Sequence, residues 1–306
     1  MSSENLYTDY DPWAWLYNKS EADLACQRLL PKLKKLLLPH LPEGTHILDL
    51  CCGTGQLAQQ LLIRGYQITG LDGSEKMLHY ARENAPKAQF ILGDARFFEL
   101  PSSFDAVICT DSALNHIMSL DELKSVFGNI HTALKEDGLF FFDLGLEKRY
   151  RNIPINDGEL ENEYAWTVGE TYNSESKTGT FTITMFQPVS GNSKKQLTQS
   201  SLISQRFKRL VYNKILRFIK PSTLLQFIAK DWQSSEIKFS VKPYSQAEIK
   251  TALEAVGFTS IKAYNFLGKL ASPKENKYAY FVAHKTGHSL SSLENTAKEL
   301  STSNKN

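Results

Sequence analysis

A chain of 306 residues that is 42% hydrophobic, 22% charged and 11% aromatic has material for one elaborated domain or two modest ones. This composition excludes a disordered chain, a collagen-like repeat and a disulfide-stapled mini-protein, and four cysteines, two of them the adjacent Cys51 and Cys52, make a poor disulfide framework. The net charge of +2 conceals a division, because residues 176–230 hold ten of the 35 Lys and Arg and none of the 33 acids. No apolar run approaches the roughly 18 residues of a membrane span, and the first residues lack the layout of a signal peptide, so a cytoplasmic protein is expected.

Residues 7–17 carry Tyr7, Tyr10, Trp13, Trp15 and Tyr17, which suit either a short helix packed on the core or a lid over a flat ligand. Apolar positions then recur at helical spacing over 21–38, and Pro39 and Pro42 end that helix. From Thr45 strands and helices alternate. A strand over 46–50 precedes a helix over 56–64, stopped by Gly65. A strand over 67–71 precedes a helix capped by Ser74 that runs to about Asn84. Strands follow over 89–92 and 104–109. Ser119 and Glu122 form a capping box for a helix to about Lys135, and Gly138 precedes an apolar strand over 139–144. The expected fold is α/β, a mostly parallel sheet with helices on both faces. Beyond 144 the pattern changes to β-rich runs over 164–170 and 180–187, joined by a hairpin loop over 173–179. An apolar and basic run over 207–230, interrupted by Pro221, has roughly helical spacing. A strand over 236–241, a helix boxed by Ser245 and Glu248 and stopped by Gly257, and strands over 259–264 and 278–284 resume the α/β pattern. The last twenty residues read as a frayed tail.

The most informative segment is Leu48-Asp-Leu-Cys-Cys-Gly-Thr-Gly-Gln-Leu-Ala58. Gly53 and Gly55 lie between a strand and a helix, where a tight turn brings backbone close to a ligand. Gly53-Thr-Gly-Gln-Leu-Ala58 also fits the dinucleotide fingerprint, and Asp72 ends the next strand where an acid accepts hydrogen bonds from ribose hydroxyls. Two features argue against NAD. Asp49 stands inside the first strand, where a dinucleotide fold has apolar residues, and Gly93-Asp-Ala-Arg96 brings another carboxylate to the carboxyl edge of the sheet. Thr110 and Asp111 end the fourth strand at the same edge.

On these residues the chain resembles the class I S-adenosylmethionine-dependent methyltransferases, and is most similar to small-molecule N- and O-methyltransferases with β-structure inserted after the fifth strand. Asp49-Leu-Cys-Cys-Gly-Thr-Gly55 matches the acidic-glycine motif and Gly70-Leu-Asp-Gly-Ser-Glu-Lys-Met77 the ribose strand. Gly93-Asp-Ala-Arg96 matches the adenine turn, Phe104-Asp-Ala-Val107 the fourth strand and Gly138-Leu-Phe-Phe-Phe-Asp143 the fifth. Cys51 replaces the first glycine of the motif. The resemblance covers about 41–144 well and 245–284 more loosely. It implies a Rossmann-like seven-stranded sheet with an inserted β-rich and helical cap. It also implies S-adenosylmethionine as cofactor, held by Asp49, Cys51, Gly53, Gly55, Asp72, Gly73, Met77, Asp94, Ala95, Arg96, Thr110, Asp111 and Tyr17. The expected organisation is an N-terminal helical lid (1–40), a cofactor-binding core (41–150), an inserted cap (151–243), a C-terminal completion of the core (244–286) and a tail (287–306).

His116 and Asp143, beyond the ends of the fourth and fifth strands, are the candidate catalytic or orienting groups on the acceptor side, with Asn115 a further candidate beside them. Cys52 and Cys109 read as small core residues, and the histidines and cysteines have no metal-like spacing, so no metal is expected. The expected reaction is in-line displacement of the methyl group onto N or O of a small molecule, which an anionic group would suit. An RNA or protein methyltransferase using the basic stretch, an NAD-binding oxidoreductase and a non-catalytic nucleotide-binding module are the alternatives. Nucleic acid is disfavoured because Thr110-Asp-Ser-Ala113 is not the Pro-Pro aromatic motif of base-amino methyltransferases.

Overall fold

The computed structural model describes residues 7–151, 156–161, 163–188, 232–272 and 276–286. The expected helical run over 207–230 and the tail over 287–306 lie outside these residues.

In chain order the elements are α1 (Ala14–Leu16), α2 (Ala22–Leu36), β1 (His46–Leu50), α3 (Gln56–Leu62), β2 (Gln67–Asp72), α4 (Glu75–Asn84), β3 (Gln89–Leu92) and β4 (Phe104–Cys109). They continue with α5 (Leu120–Ala133), β5 (Leu134–Gly145), α6 (Glu147–Arg151), β6 (Asn156–Leu160), β7 (Ala165–Asn173), β8 (Thr178–Pro188), β9 (Trp232–Val241), α7 (Gln246–Ala255), β10 (Thr259–Tyr264) and β11 (Tyr278–His284). The chain forms two compact units, Met1–Arg149 with Lys242–Asn306, and Tyr150–Val241.

The first unit is built on a seven-stranded sheet in the order β10-β11-β5-β4-β1-β2-β3. β1 to β5 pair in parallel, whereas β11 runs antiparallel to β5 and to β10. Alternation along each strand feeds two cores. Leu48, Leu50, Val107, Phe140, Phe142 and Phe281 join the residues of α5 and α7 on one face. Ile47, Ala106, Ile108, Phe141 and Val282 join those of α2 and α3 on the other. A strand buried on both faces must be apolar at every position, which explains the Phe140-Phe-Phe142 run. The rings of Phe142 and Phe281 stack across strands with centroids 4.8 Å apart.

The local signals act mostly as the sequence predicts. Ser74 accepts from the Met77 amide, and Ser245 with Glu248 closes a full capping box. At α5 the Ser119 side chain accepts from the Glu122 amide. Pro31 sits inside α2, yet the helix continues. Both Pro31 and Gln27, whose carbonyl loses its donor, are exposed to water, and Leu29, Leu33 and Leu36 hold the opposite face in the core. β5 begins at Leu134, so Gly138 lies within the strand instead of preceding it. Asp137 absorbs the change of direction at φ +63°.

The second unit is an antiparallel sheet in the order β6-β7-β8-β9. Asn173 builds the β7–β8 turn by accepting from the amides of Glu175 and Ser176 at 2.9 and 3.1 Å. The sequence pattern gives no sign of β6, which is short and contains Asp157 and Gly158.

Candidate functional site

β1 delivers the chain into a turn of unusual backbone. Cys51, Gly53 and Gly55 have φ of +57°, +55° and +82°. A Cβ on Gly55 would lie 2.9 Å from the Ala81 Cα, so only glycine lets α3 start this close to α4. Cys51 takes the left-handed conformation despite its side chain, at a cost of about 1–2 kcal/mol.

Asp72 ties this turn to the end of β2. One carboxylate oxygen accepts from the Gly53 amide at 2.9 Å and the other from the Ser74 amide at 2.9 Å. Each oxygen keeps a second lone pair for an incoming hydroxyl. Burial lifts Asp72 to about 6 against the pull of those amide bonds. Asp49, behind the turn, is 2% exposed, and its Oδ2 has no hydrogen-bond partner among the described residues. Burial, with Asp72 adding to it, raises Asp49 to about 7. A buried anionic oxygen of this kind calls for a cation or a donor.

At the end of β3, Asp94 is engaged by its own neighbour. Arg96 Nη2 lies 2.7 Å from it and the Arg96 amide donates at 2.8 Å, so both carboxylate oxygens have partners. Arg96 also reaches Glu122 at 3.5 Å. After β4 two consecutive residues, Asp111 and Ser112, are left-handed at φ +58° and +60°, a concentration of strain at the carboxyl edge. Arg28 pairs with Asp111 at 3.5 Å, and the Tyr17 hydroxyl donates to it at 3.4 Å. Ser112 donates to Asp143 Oδ2 at 2.9 Å. The other Asp143 oxygen is buried without a partner among the described residues, and burial, reinforced by Asp111, lifts the group to about 7.

Over this edge runs the aromatic N-terminal segment. Tyr7 lies against Gly73, where an added Cβ would meet the Tyr7 Cβ at 2.7 Å. The Tyr10 hydroxyl is 2.8 Å from His116 Nε2, and Ser74 donates to Asp11 at 2.5 Å. Asn18 Oδ1 accepts from both Gln56 and Asn84, at 2.8 and 2.7 Å. Trp13 and Leu16 are core residues, as expected of a short helix packed on the core. A cleft bounded by Tyr17, α2 and the turn after β1 holds about 50 Å³, against the 300 Å³ or more of an ordinary ligand pocket.

Asp49, Cys51, Gly53, Thr110, Asp111 and Tyr17 line this one cleft. Asp72 and Gly73 border it through the contacts above. Met77 and Ala95 are instead buried at 3% and 7% exposure, and Ala95 belongs to the core. Asn115 is also not available for chemistry. Its side chain donates to the carbonyls of Gly145 and Lys242 and accepts from the Gly145 amide, which fixes the loop carrying His116 to the end of β5. Asp11, Asn18 and Arg28 escape the sequence reading because their partners lie far along the chain.

Residues 47–138 match the family described as a methyltransferase domain. A putative methyltransferase of Geobacillus sp. (strain WCH70) is 30% identical over 167 residues, 52% of this chain and 68% of that protein. The chain belongs to the class I S-adenosylmethionine-dependent methyltransferases. This methyltransferase is an enzyme with S-adenosylmethionine as its cofactor, which sets aside the NAD-binding and non-catalytic readings. A dTDP-3-amino-3,6-dideoxy-alpha-D-glucopyranose N,N-dimethyltransferase of Streptomyces fradiae is 32% identical over 123 residues, 40% of this methyltransferase and 45% of that one. The fold is shared with an S-adenosylmethionine-dependent methyltransferase of Clostridium acetobutylicum, with a TM-score of 0.65 at 16% identity over 91% of this chain and 99% of that one.

Proposed function

We propose that the enzyme methylates the nitrogen of an amine on a small molecule. The observation that carries this reading is Asp143, whose buried, unpartnered oxygen lies on the acceptor side beside Asp111. An open carboxyl oxygen there favours an acceptor that arrives as an ammonium and offers N–H donors. The Streptomyces fradiae relative is named for an amino sugar joined to a nucleotide, and we extend that class of acceptor to this chain.

The chemistry of the groups around the cleft suits the cofactor, although the cleft's volume of about 50 Å³ is smaller than an ordinary ligand pocket. The Asp49 oxygen answers the ammonium of its methionine part, and the backbone of Gly53 and Gly55 runs along that part beside Cys51 and Thr110. Asp72 would hold the ribose, Gly73 would let the chain pass close to it, and the Asp94–Arg96 pair would lie toward the adenine, with Ala95 packed in the core beneath. Tyr17 and Asp111 close the amino-acid end, while Met77 acts only by anchoring the start of α4. When bound, the cofactor supplies a methyl group on a sulfonium, an electrophile that needs little beyond a correctly placed nucleophile. The chain's own part is to hold the amine in line and to manage its proton. Asp143, at about 7, can take up that proton near neutrality, and His116, oriented by Tyr10, is the second group in reach of the acceptor. Burial holds the Tyr10 phenol well above its ordinary range, so it remains a neutral hydrogen-bonding partner.

Incubation with labelled S-adenosylmethionine and matched nucleotide sugars, bearing an amine or a hydroxyl at the same carbon, tests the reading. Label is expected on the amine alone. Transfer only to the hydroxyl partner, or only to RNA in a parallel incubation, would overturn it.

A further inference from the structure

The turn joining β10 to β11 presents a group of side chains that the transfer reaction does not use. Phe266, Leu267 and Leu270 are 62%, 63% and 71% exposed, three of the seven large exposed hydrophobic residues among the described ones. A single exposed leucine needs no explanation, but three on one five-residue turn do. The turn is also rigid. Asn265 Oδ1 accepts from the amides of Leu267 and Lys269 at 2.9 and 3.1 Å, and its own amide donates to the Lys269 carbonyl at 2.7 Å. Gly268 takes φ +72°, and Tyr264 and Leu270 form a bridge.

Lysines surround the tip. The Lys32 ammonium sits 3.4 Å from the centre of the Phe266 ring, and Lys35 donates to the Leu267 carbonyl at 2.6 Å. Residues 24–42 and 255–274 contain no Asp or Glu, although they contain Lys32, Lys34, Lys35, Lys262, Lys269 and Lys274. Partial burial and the nearby Lys35 lower the pKa of Lys32, so the pair is short of an anion.

We infer that this tip is a peripheral anchor for a bilayer surface rich in anionic phospholipid. The apolar side chains enter the boundary between headgroups and acyl chains, and the lysines meet the lipid phosphates. A protein partner fits less well, because a stable interface buries about 1,200–2,000 Å² and three side chains on one turn offer far less. Among the described residues no helix is long and apolar enough to cross a membrane, so the contact is to the surface alone. The inference does not depend on the identity of the methyl acceptor.

The test is co-sedimentation of the full chain with phosphatidylcholine vesicles, with and without phosphatidylserine. The protein is expected to sediment only with the anionic vesicles, and less so as salt rises. Lys32→Gln and Lys35→Gln should each weaken this about fivefold. Combining Phe266→Ser, Leu267→Ser and Leu270→Ser should weaken it by about tenfold or more. Titration of that triple variant with S-adenosylhomocysteine, at unchanged affinity, shows that its fold is intact. Equal sedimentation with both vesicle types, or undiminished sedimentation of the triple variant, would overturn the inference. So would loss of binding only when Arg206, Lys208 and Arg209 are neutralised. Self-association that depends on the tip, without vesicle binding, would assign it to contacts between copies and equally overturn the anchor.

Discussion

The Tyr10 hydroxyl meets His116 Nε2 at 2.8 Å, joining the N-terminal segment to the loop after β4 across the carboxyl edge of the sheet. This bond fixes the orientation of the imidazole from a distant part of the chain. His116→Ala should lower kcat by about 10²-fold while S-adenosylhomocysteine affinity stays within about twofold. Tyr10→Phe, which keeps the ring and removes the bond, should fall between that variant and the parent. Steady-state kinetics with calorimetric titration separate the two effects, and an unchanged kcat in His116→Ala would leave the proton to Asp143.

Asp72, the proposed ribose ligand, also holds the backbone, since it accepts from the amides of both Gly53 and Ser74. Asp72→Ala is therefore expected to weaken S-adenosylhomocysteine binding by more than a lost ribose contact would, on the order of 100-fold. Unchanged affinity by isothermal titration would remove this residue from the cofactor site.

Three buried carboxyls give the cofactor-free enzyme a characteristic pH response. Asp49 and Asp143 titrate at about 7 and Asp72 at about 6, all above the roughly 4 of an unfolded aspartate. The native state thus holds more protons than the unfolded state between about pH 4 and pH 7, so stability falls as pH rises through that window. The thermal midpoint should be higher near about pH 5 than near about pH 8, by the equivalent of a few kcal/mol. Asp49→Asn should flatten this slope, and saturating cofactor should reduce it if Asp49 receives the ammonium. His40, His46 and His131, lowered by burial, oppose this slope, so the decisive comparison is parent with Asp49→Asn, and an identical profile in the two would contradict the raised value of Asp49.

Asn115 is fully buried and holds backbone groups of Gly145 and Lys242. Removing it leaves those groups without partners, so Asn115→Ala should cost about 3 kcal/mol in urea unfolding. Gly55→Ala, which forces a left-handed residue against Ala81, should cost about 1–3 kcal/mol. A loss below about 0.5 kcal/mol in either variant would contradict the packing described.

The sheet was readable because its determinants are local. Short apolar runs such as Phe104–Cys109, stop signals such as Gly257 and caps such as Ser74 each act within a few residues. The turn after β1 was readable for the same reason, since Asp49 lies inside β1, Gly53 just beyond it and Asp72 at the end of β2. The extent of the cover over it was not. Asp11 finds Ser74, Arg28 finds Asp111 and Asn18 finds Asn84, and no periodicity announces pairs so far apart. Asn115 looked like a candidate for chemistry because its type and place suited the role. Only its three backbone partners show that it fastens the loop. The start of β5 was misjudged because Gly138 resembles a breaker, while Asp137 carries the left-handed turn.

The pairing of β5 with β11 has a consequence for how the chain matures. Gly145 finds its partner in Tyr278 and Leu139 in His284, with the whole β6–β9 unit threaded between them. Until β11 emerges during synthesis, one edge of the Phe140-Phe-Phe142 strand has no neighbour. A chain cut short before Tyr278 would leave that apolar edge open to pairing with other molecules. The closing strand thus safeguards solubility, and harm from late truncation would appear first as aggregation.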